Sequence, residues 1–218
     1  MNTWTSKRGL AAVLTLSLTG CNVQTAGLGF LESSTPRSAK RVDNVVLGGG
    51  AVRLTVPAGY CVDGRSVRAR EFAVVARCDK VGVPGAYDDQ PVALITATLA
   101  PRSAEAATPK AAELAASSGP DQVLSQQQNG SLALVRLRTA EPLEGTASTH
   151  WRGAFLAGNR LVGLGLYAPE GSAALGAKGG QLLSAIAQAT QRASAPKDGT
   201  KPTPLEIPLF KTIAGLFD

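Results

Sequence analysis

The dipeptide Gly158-Asn159, set between the runs Thr146–Leu156 and Arg160–Ala168, constrains this fold more than any other feature of the chain. Both residue types tolerate the positive φ that a two-residue hairpin turn requires. That turn predicts Trp151 opposite Leu166, Gly153 opposite Leu164 and Phe155 opposite Val162, so these six share one sheet face and five of them read as core. The other face then carries His150, Arg152, Gly163, Gly165 and Tyr167, with His150 expected as an exposed strand residue. Two glycines in one strand often mark a close approach to the backbone. The 218 residues, 44 % apolar and 17 % charged, suffice to fill the core of one domain.

Other elements follow from similar signals. Asn44 to Leu47 reads as a short strand and Gly48-Gly49-Gly50 as a turn, and Val52 to Pro57 alternates with period two. Glu71 to Cys78 and Val92 to Leu99 are further strands, and Gly64 to Arg70 is the polar loop of a hairpin. Asn129-Gly130 signals another hairpin turn, whose register puts Leu124 opposite Val135. A helix is expected over Thr108 to Pro120, capped by Thr108, opened by Pro109 and stopped by Gly119. A second, from Gly171 to Arg192, places Leu175, Leu182, Leu183, Ile186 and Ala189 on one stripe. The order predicts one α+β domain over residues 45–192, an antiparallel sheet with helices packed on one face and one disulfide-stapled hairpin. In topology alone, this order resembles the PsbP/Mog1-like sandwich modules; no function is carried over from that likeness.

The N-terminus carries an address. Lys7 and Arg8 precede an acid-free apolar run, Leu10 to Leu18, and the stretch ends Leu18-Thr19-Gly20-Cys21. It resembles the lipobox of bacterial lipoproteins, which implies cleavage of residues 1–20 as a signal peptide and lipidation of Cys21. The alternative is an ordinary signal peptide with Cys21 incidental. Several acyl chains, at about 0.8 kcal/mol per buried CH₂, anchor a protein durably. Asn22 stands where that family's inner-membrane retention signal places Asp, so the resemblance implies the outer membrane facing the periplasm, with the inner membrane as runner-up. Residues 21–44, rich in Ser, Gly and Thr, read as a lipidated tether.

In an oxidising compartment Cys61 and Cys78 are expected to form a structural disulfide across the base of the hairpin. A redox dithiol would show C-x-x-C and a zinc site would need four ligands, and neither pattern occurs. Beyond a Pro/Lys-rich linker at 193–204, an amphipathic helix over 205–218 aligns Leu209, Phe210, Ile213, Leu216 and Phe217. A helix this short must dock, either on its own domain or on an envelope protein partner.

No serine-hydrolase elbow, Walker loop, H-E-x-x-H or EF-hand loop occurs, and a single His with three Cys removes most metal chemistry, so no cofactor or metal is expected. Arg65, Arg68 and Arg70 crowd one loop as candidate anion-binding residues for a phosphate-bearing glycolipid or a carboxylate, against the alternative of a solvated loop. A formal charge of +6, with no aromatic-basic platform, argues against nucleic acid. The expectation is a lipid-anchored, non-enzymatic binding or assembly module, touching the membrane through its N-terminal lipid. The alternatives are a small envelope hydrolase using His150 and a structural spacer.

Overall fold

A computed structural model describes residues 39–67, 71–102, 106–119, 121–140 and 142–195. The expected signal peptide, Cys21, Arg68, Arg70, Pro120, the expected C-terminal helix over 205–218 and most of both expected linkers lie outside the described residues. In chain order the elements are β1 (Asn44–Leu47), β2 (Val52–Thr55), β3 (Tyr60–Asp63), β4 (Phe72–Arg77), β5 (Leu94–Leu99), α1 (Ala111–Ala116), β6 (Gln122–Asn129), β7 (Leu132–Arg138), β8 (Thr149–Ala157), β9 (Arg160–Tyr167) and α2 (Ala177–Ser194). Seven strands make one antiparallel sheet in the order β3-β4-β5-β9-β8-β7-β6, and β1 pairs with β2 in a separate ribbon. The architecture is predominantly β, with few helices and one disulfide.

The β8–β9 hairpin takes the expected register: Trp151 pairs with Leu166, Gly153 with Leu164 and Phe155 with Val162. Gly158 and Asn159 both adopt positive φ, at 52° and 60°. The face carrying Trp151 and Phe155 gathers Tyr60, Val75, Ile95, Leu134 and Leu166 with Leu183 and Ile186 of α2 and Leu47 and Leu54 of the ribbon into one core. Trp151 fits because α2 offers Gly179 and Gly180 to its ring. A Cβ at Gly179 would lie 2.9 Å from the indole Nε1 and overlap the Ala174 carbonyl. Each helix glycine costs about 1 kcal/mol against alanine, which the close seat of a buried tryptophan offsets. The ribbon is tied to α2 by polar bonds. Thr55 N–H donates to the Thr190 hydroxyl at 3.1 Å, and Arg53 N–H donates to the Ser194 hydroxyl at 2.9 Å.

Four expectations are corrected. The helices do not share one face: α2 lies on the Trp151 side, whereas α1 sets Leu114 and Ala115 against Val135 and Leu137, which alternation turns to the other side. The strand Val52–Thr55 does not pair with β4. Pro57 and the positive-φ Gly59 redirect the chain, and Tyr60–Asp63 becomes β4's partner. The β6–β7 turn is Gly130-Ser131, because Asn129 stays in the strand and its side chain donates to Ser184 of α2 at 3.2 Å. Gln126 therefore faces Val135, and Leu124 falls where the register shifts. Thr108 does not cap α1. The first free donors, Lys110 N–H and Ala111 N–H, bond instead to the Glu113 carboxylate at 2.8 Å and the Gln128 carbonyl at 2.9 Å.

Cys61 and Cys78 are bonded and fully buried, beside Val83 on the face opposite Trp151. For a loop of this length, replacing both by Ala should lower the unfolding free energy by about 3 kcal/mol, read by urea titration of the oxidised protein. A loss below about 1 kcal/mol would assign the hairpin's order to packing rather than to the cross-link.

Candidate functional site

The second face of the sheet is covered at its flanks and open at its centre. On one side the Cys61–Cys78 cluster, with Val83 and Tyr87, lies over β3 and β4. On the other, α1 lies over β6 and β7. Between them runs β9, the middle strand, which presents Gly163 and Gly165 to this face. Thr98 and Ala154 flank Gly163 on the adjacent strands, and Thr96 and Arg152 flank Gly165. The result is a trough of about 530 Å³, floored by bare backbone and bordered by Pro109, Leu114, Leu161 and Tyr167. Phe72, 36 % exposed, stands on the same cross-strand row as Gly163, one strand beyond Thr98.

The two glycines have different causes. A Cβ at Gly165 would sit 2.8 Å from Thr96 Oγ1 and 3.1 Å from the Tyr167 ring, so packing excludes one. A Cβ at Gly163 would meet nothing nearer than the Thr98 carbonyl at 3.8 Å, and no positive φ requires glycine there. A strand glycine with neither reason costs about 0.5–1 kcal/mol relative to alanine, and what it leaves is open floor.

At one end the trough meets a smaller cavity of about 180 Å³, with Arg152 and Tyr167 lining both. Here His150 is 3 % exposed, which corrects the expected exposed histidine. Tyr167 stacks on its imidazole with centroids 5.4 Å apart, the two residues standing directly opposite each other when the β8–β9 register is continued past Trp151–Leu166. Neither imidazole nitrogen has a hydrogen-bond partner among the described residues. Asp121 Oδ2 lies 3.7 Å from His150 Nε2 and 3.4 Å from an Arg152 guanidinium nitrogen. Burial holds the His150 pKa below the ordinary histidine range, and the Arg152 charge acts in the same direction. The Ser148 backbone, outside hydrogen-bonding geometry, and the Asp121 carboxylate act against both. The ring is therefore neutral near pH 7.

Of the candidate anion-binding residues, Arg65 is paired with Asp63 at 3.0 Å and its side chain is 81 % exposed, while Arg68 and Arg70 lie outside the described residues. The expected site residues Leu209, Phe210, Ile213, Leu216 and Phe217 also lie outside them. No group of three or more His, Cys, Asp or Glu able to hold a metal occurs among the described residues. None of the described helices is long and apolar enough to cross a membrane. Sequence reading found the face of His150, Arg152 and the glycines but missed Asp121, Thr96 and Thr98. The run Leu94-Ile95-Thr96-Ala97-Thr98-Leu99 held the missing signal, since period two turns both threonines away from the core.

The chain matches no protein-family model, and no curated protein is significantly similar to it.

Because folding depresses the His150 pKa, the unfolded chain binds more protons between the folded and unfolded values. Stability should therefore fall as pH drops from about 6.5 toward the depressed value, the unperturbed histidine pKa being about 6.5. Urea midpoints measured across that interval should slope upward with pH in the wild type and less so in His150→Gln. Equal slopes would remove His150 as the cause.

Proposed function

We propose that this chain is a lipid-anchored, periplasm-facing, non-enzymatic binding or assembly module of the bacterial outer membrane. The observation that carries the binding half of this reading is the open trough over Gly163 on an otherwise covered sheet. Concave sites with an apolar lining and a few convergent polar groups are the usual form of ligand sites. The address rests on the lipobox-like Leu18-Thr19-Gly20-Cys21, and the Cys61–Cys78 bond agrees with an oxidising compartment. In this reading the stripe Leu209, Phe210, Ile213, Leu216 and Phe217 docks on an envelope protein, and residues 21–44 span from lipid to domain. The strand and helix order expected from the sequence resembles the PsbP/Mog1-like sandwich in topology alone, and no function is taken from that likeness.

A second reading has one specific observation behind it. His150 sits 3.7 Å from Asp121 in a cavity that Thr139 and Thr146 also line, an arrangement a general base would need. An activity-based hydrolase probe that labels the wild type but not His150→Ala would establish it in place of the binding reading.

The direct test is crosslinking in intact cells with mass spectrometry, comparing the wild type with a chain truncated after Pro204. The expected result is loss of a captured envelope partner with an unchanged thermal midpoint. A lowered midpoint would make residues 205–218 part of this domain's own core, a partner captured equally by both chains would overturn docking through that stripe, and no captured partner with either chain would leave only the spacer role.

A further inference from the structure

The trough and the adjoining His150 cavity, which share Arg152 and Tyr167 in their walls, make a site with two chemistries. Its long part is lined mainly by carbon, from Pro109, Leu114, Ala154 and Leu161 over the bare β9 backbone. Its short end holds hydrogen-bonding groups whose charges are already balanced. Arg152 faces Asp121 at 3.4 Å, and His150 is held in its neutral form by burial. A buried imidazole without a partner costs about 1–3 kcal/mol, and at 3 % exposure bulk water does not reach it freely. The accessible polar groups at this end are those of Arg152, 40 % exposed, and Asp121, 3.4 Å from it, so one small polar group beside them meets both donors and an acceptor.

We infer that this site binds a single-chain amphiphile with an uncharged, hydroxyl-bearing head, its tail lying along the β9 floor and its head beside Arg152 and Asp121. The charge balance selects the head: a carboxylate would bring unpaired negative charge against Asp121, and an ammonium would do the same against Arg152. The length and lining select the tail, since about 530 Å³ lies within the range of small-molecule sites and its border is mostly apolar. Gly163 selects the position, because it is the floor residue whose missing side chain no packing or backbone geometry explains.

This inference rests on the binding reading but not on the anchor. The test therefore uses the full chain carrying Cys21→Ser, which takes no acyl chains of its own. The probes, applied below their aggregation concentrations in calorimetric titrations, are 1-monolauroylglycerol, laurate and dodecyltrimethylammonium, with phosphatidylglycerol vesicles as a membrane-surface arm. One-to-one binding of 1-monolauroylglycerol is expected, with both charged probes weaker by about tenfold or more, which is 1.4 kcal/mol. Gly163→Leu, whose side chain enters open space, should weaken binding by about tenfold or more, again 1.4 kcal/mol, with the thermal midpoint retained. Thr98→Arg, at an exposed position on the neighbouring strand, should do the same should the leucine variant fail to fold. Unchanged affinity in both variants, equal or tighter binding of a charged probe, binding to vesicles alone, or no binding would each overturn the inference. An envelope crosslink that persists in Gly163→Leu cells would preserve the assembly role while this ligand site falls.

Discussion

The seat of Trp151 against Gly179 and Gly180 is the contact on which the rest of the molecule depends. It fixes how closely α2 lies on β8, and so closes one face of a seven-stranded sheet with a single helix and a two-stranded ribbon. Alternation along each strand then leaves no freedom. Once Trp151, Phe155, Leu164 and Leu166 point to the closed side, His150, Arg152, Gly163 and Tyr167 must point to the other. Packing on one face thereby decides which side chains are available on the opposite one.

That second face shows how a small domain keeps a strand surface uncovered without losing its core. The disulfide cluster covers one flank and the six-residue helix α1 packs on the other, which leaves the trough over the middle strand. On this face the cost of openness is a strand glycine, about 0.5–1 kcal/mol, and an unpartnered buried imidazole, about 1–3 kcal/mol, while Trp151 Nε1 and Arg136 Nε are likewise buried on the closed side without a partner among the described residues. Both costs sit in one place, along and beside β9, rather than being scattered over the surface. Local violations of packing rules that cluster are the usual physical trace of a site.

Much of this was legible in the sequence, and the boundary is physical. The β8–β9 register followed from Gly158-Asn159 and period-two alternation because both act over neighbouring residues. The disulfide followed from two cysteines placed to meet across one hairpin. The β6–β7 turn lies one position beyond Asn129-Gly130, and the register is offset by two residues, because a long-range bond from Asn129 to Ser184 keeps that residue in its strand. The division of helices between faces was hidden for the same reason: α1 is too short for its periodicity to say which face it covers. Asp121 was invisible because it reaches His150 from the start of β6, 29 residues earlier in sequence and two strands away in the sheet.

The central claim is that one face of the sheet is sealed by packing and the other is kept open for an occupant. Hydroxyl-radical footprinting of the protein isolated from its native host, before and after solvent extraction of bound small molecules, addresses it most directly. The account predicts that Trp151 and Phe155 stay unoxidised throughout, while Leu114, Leu161 and Tyr167 pass from protected to reactive on extraction. Equal oxidation of those three residues in both states, or oxidation of Trp151 at a comparable rate, would contradict it.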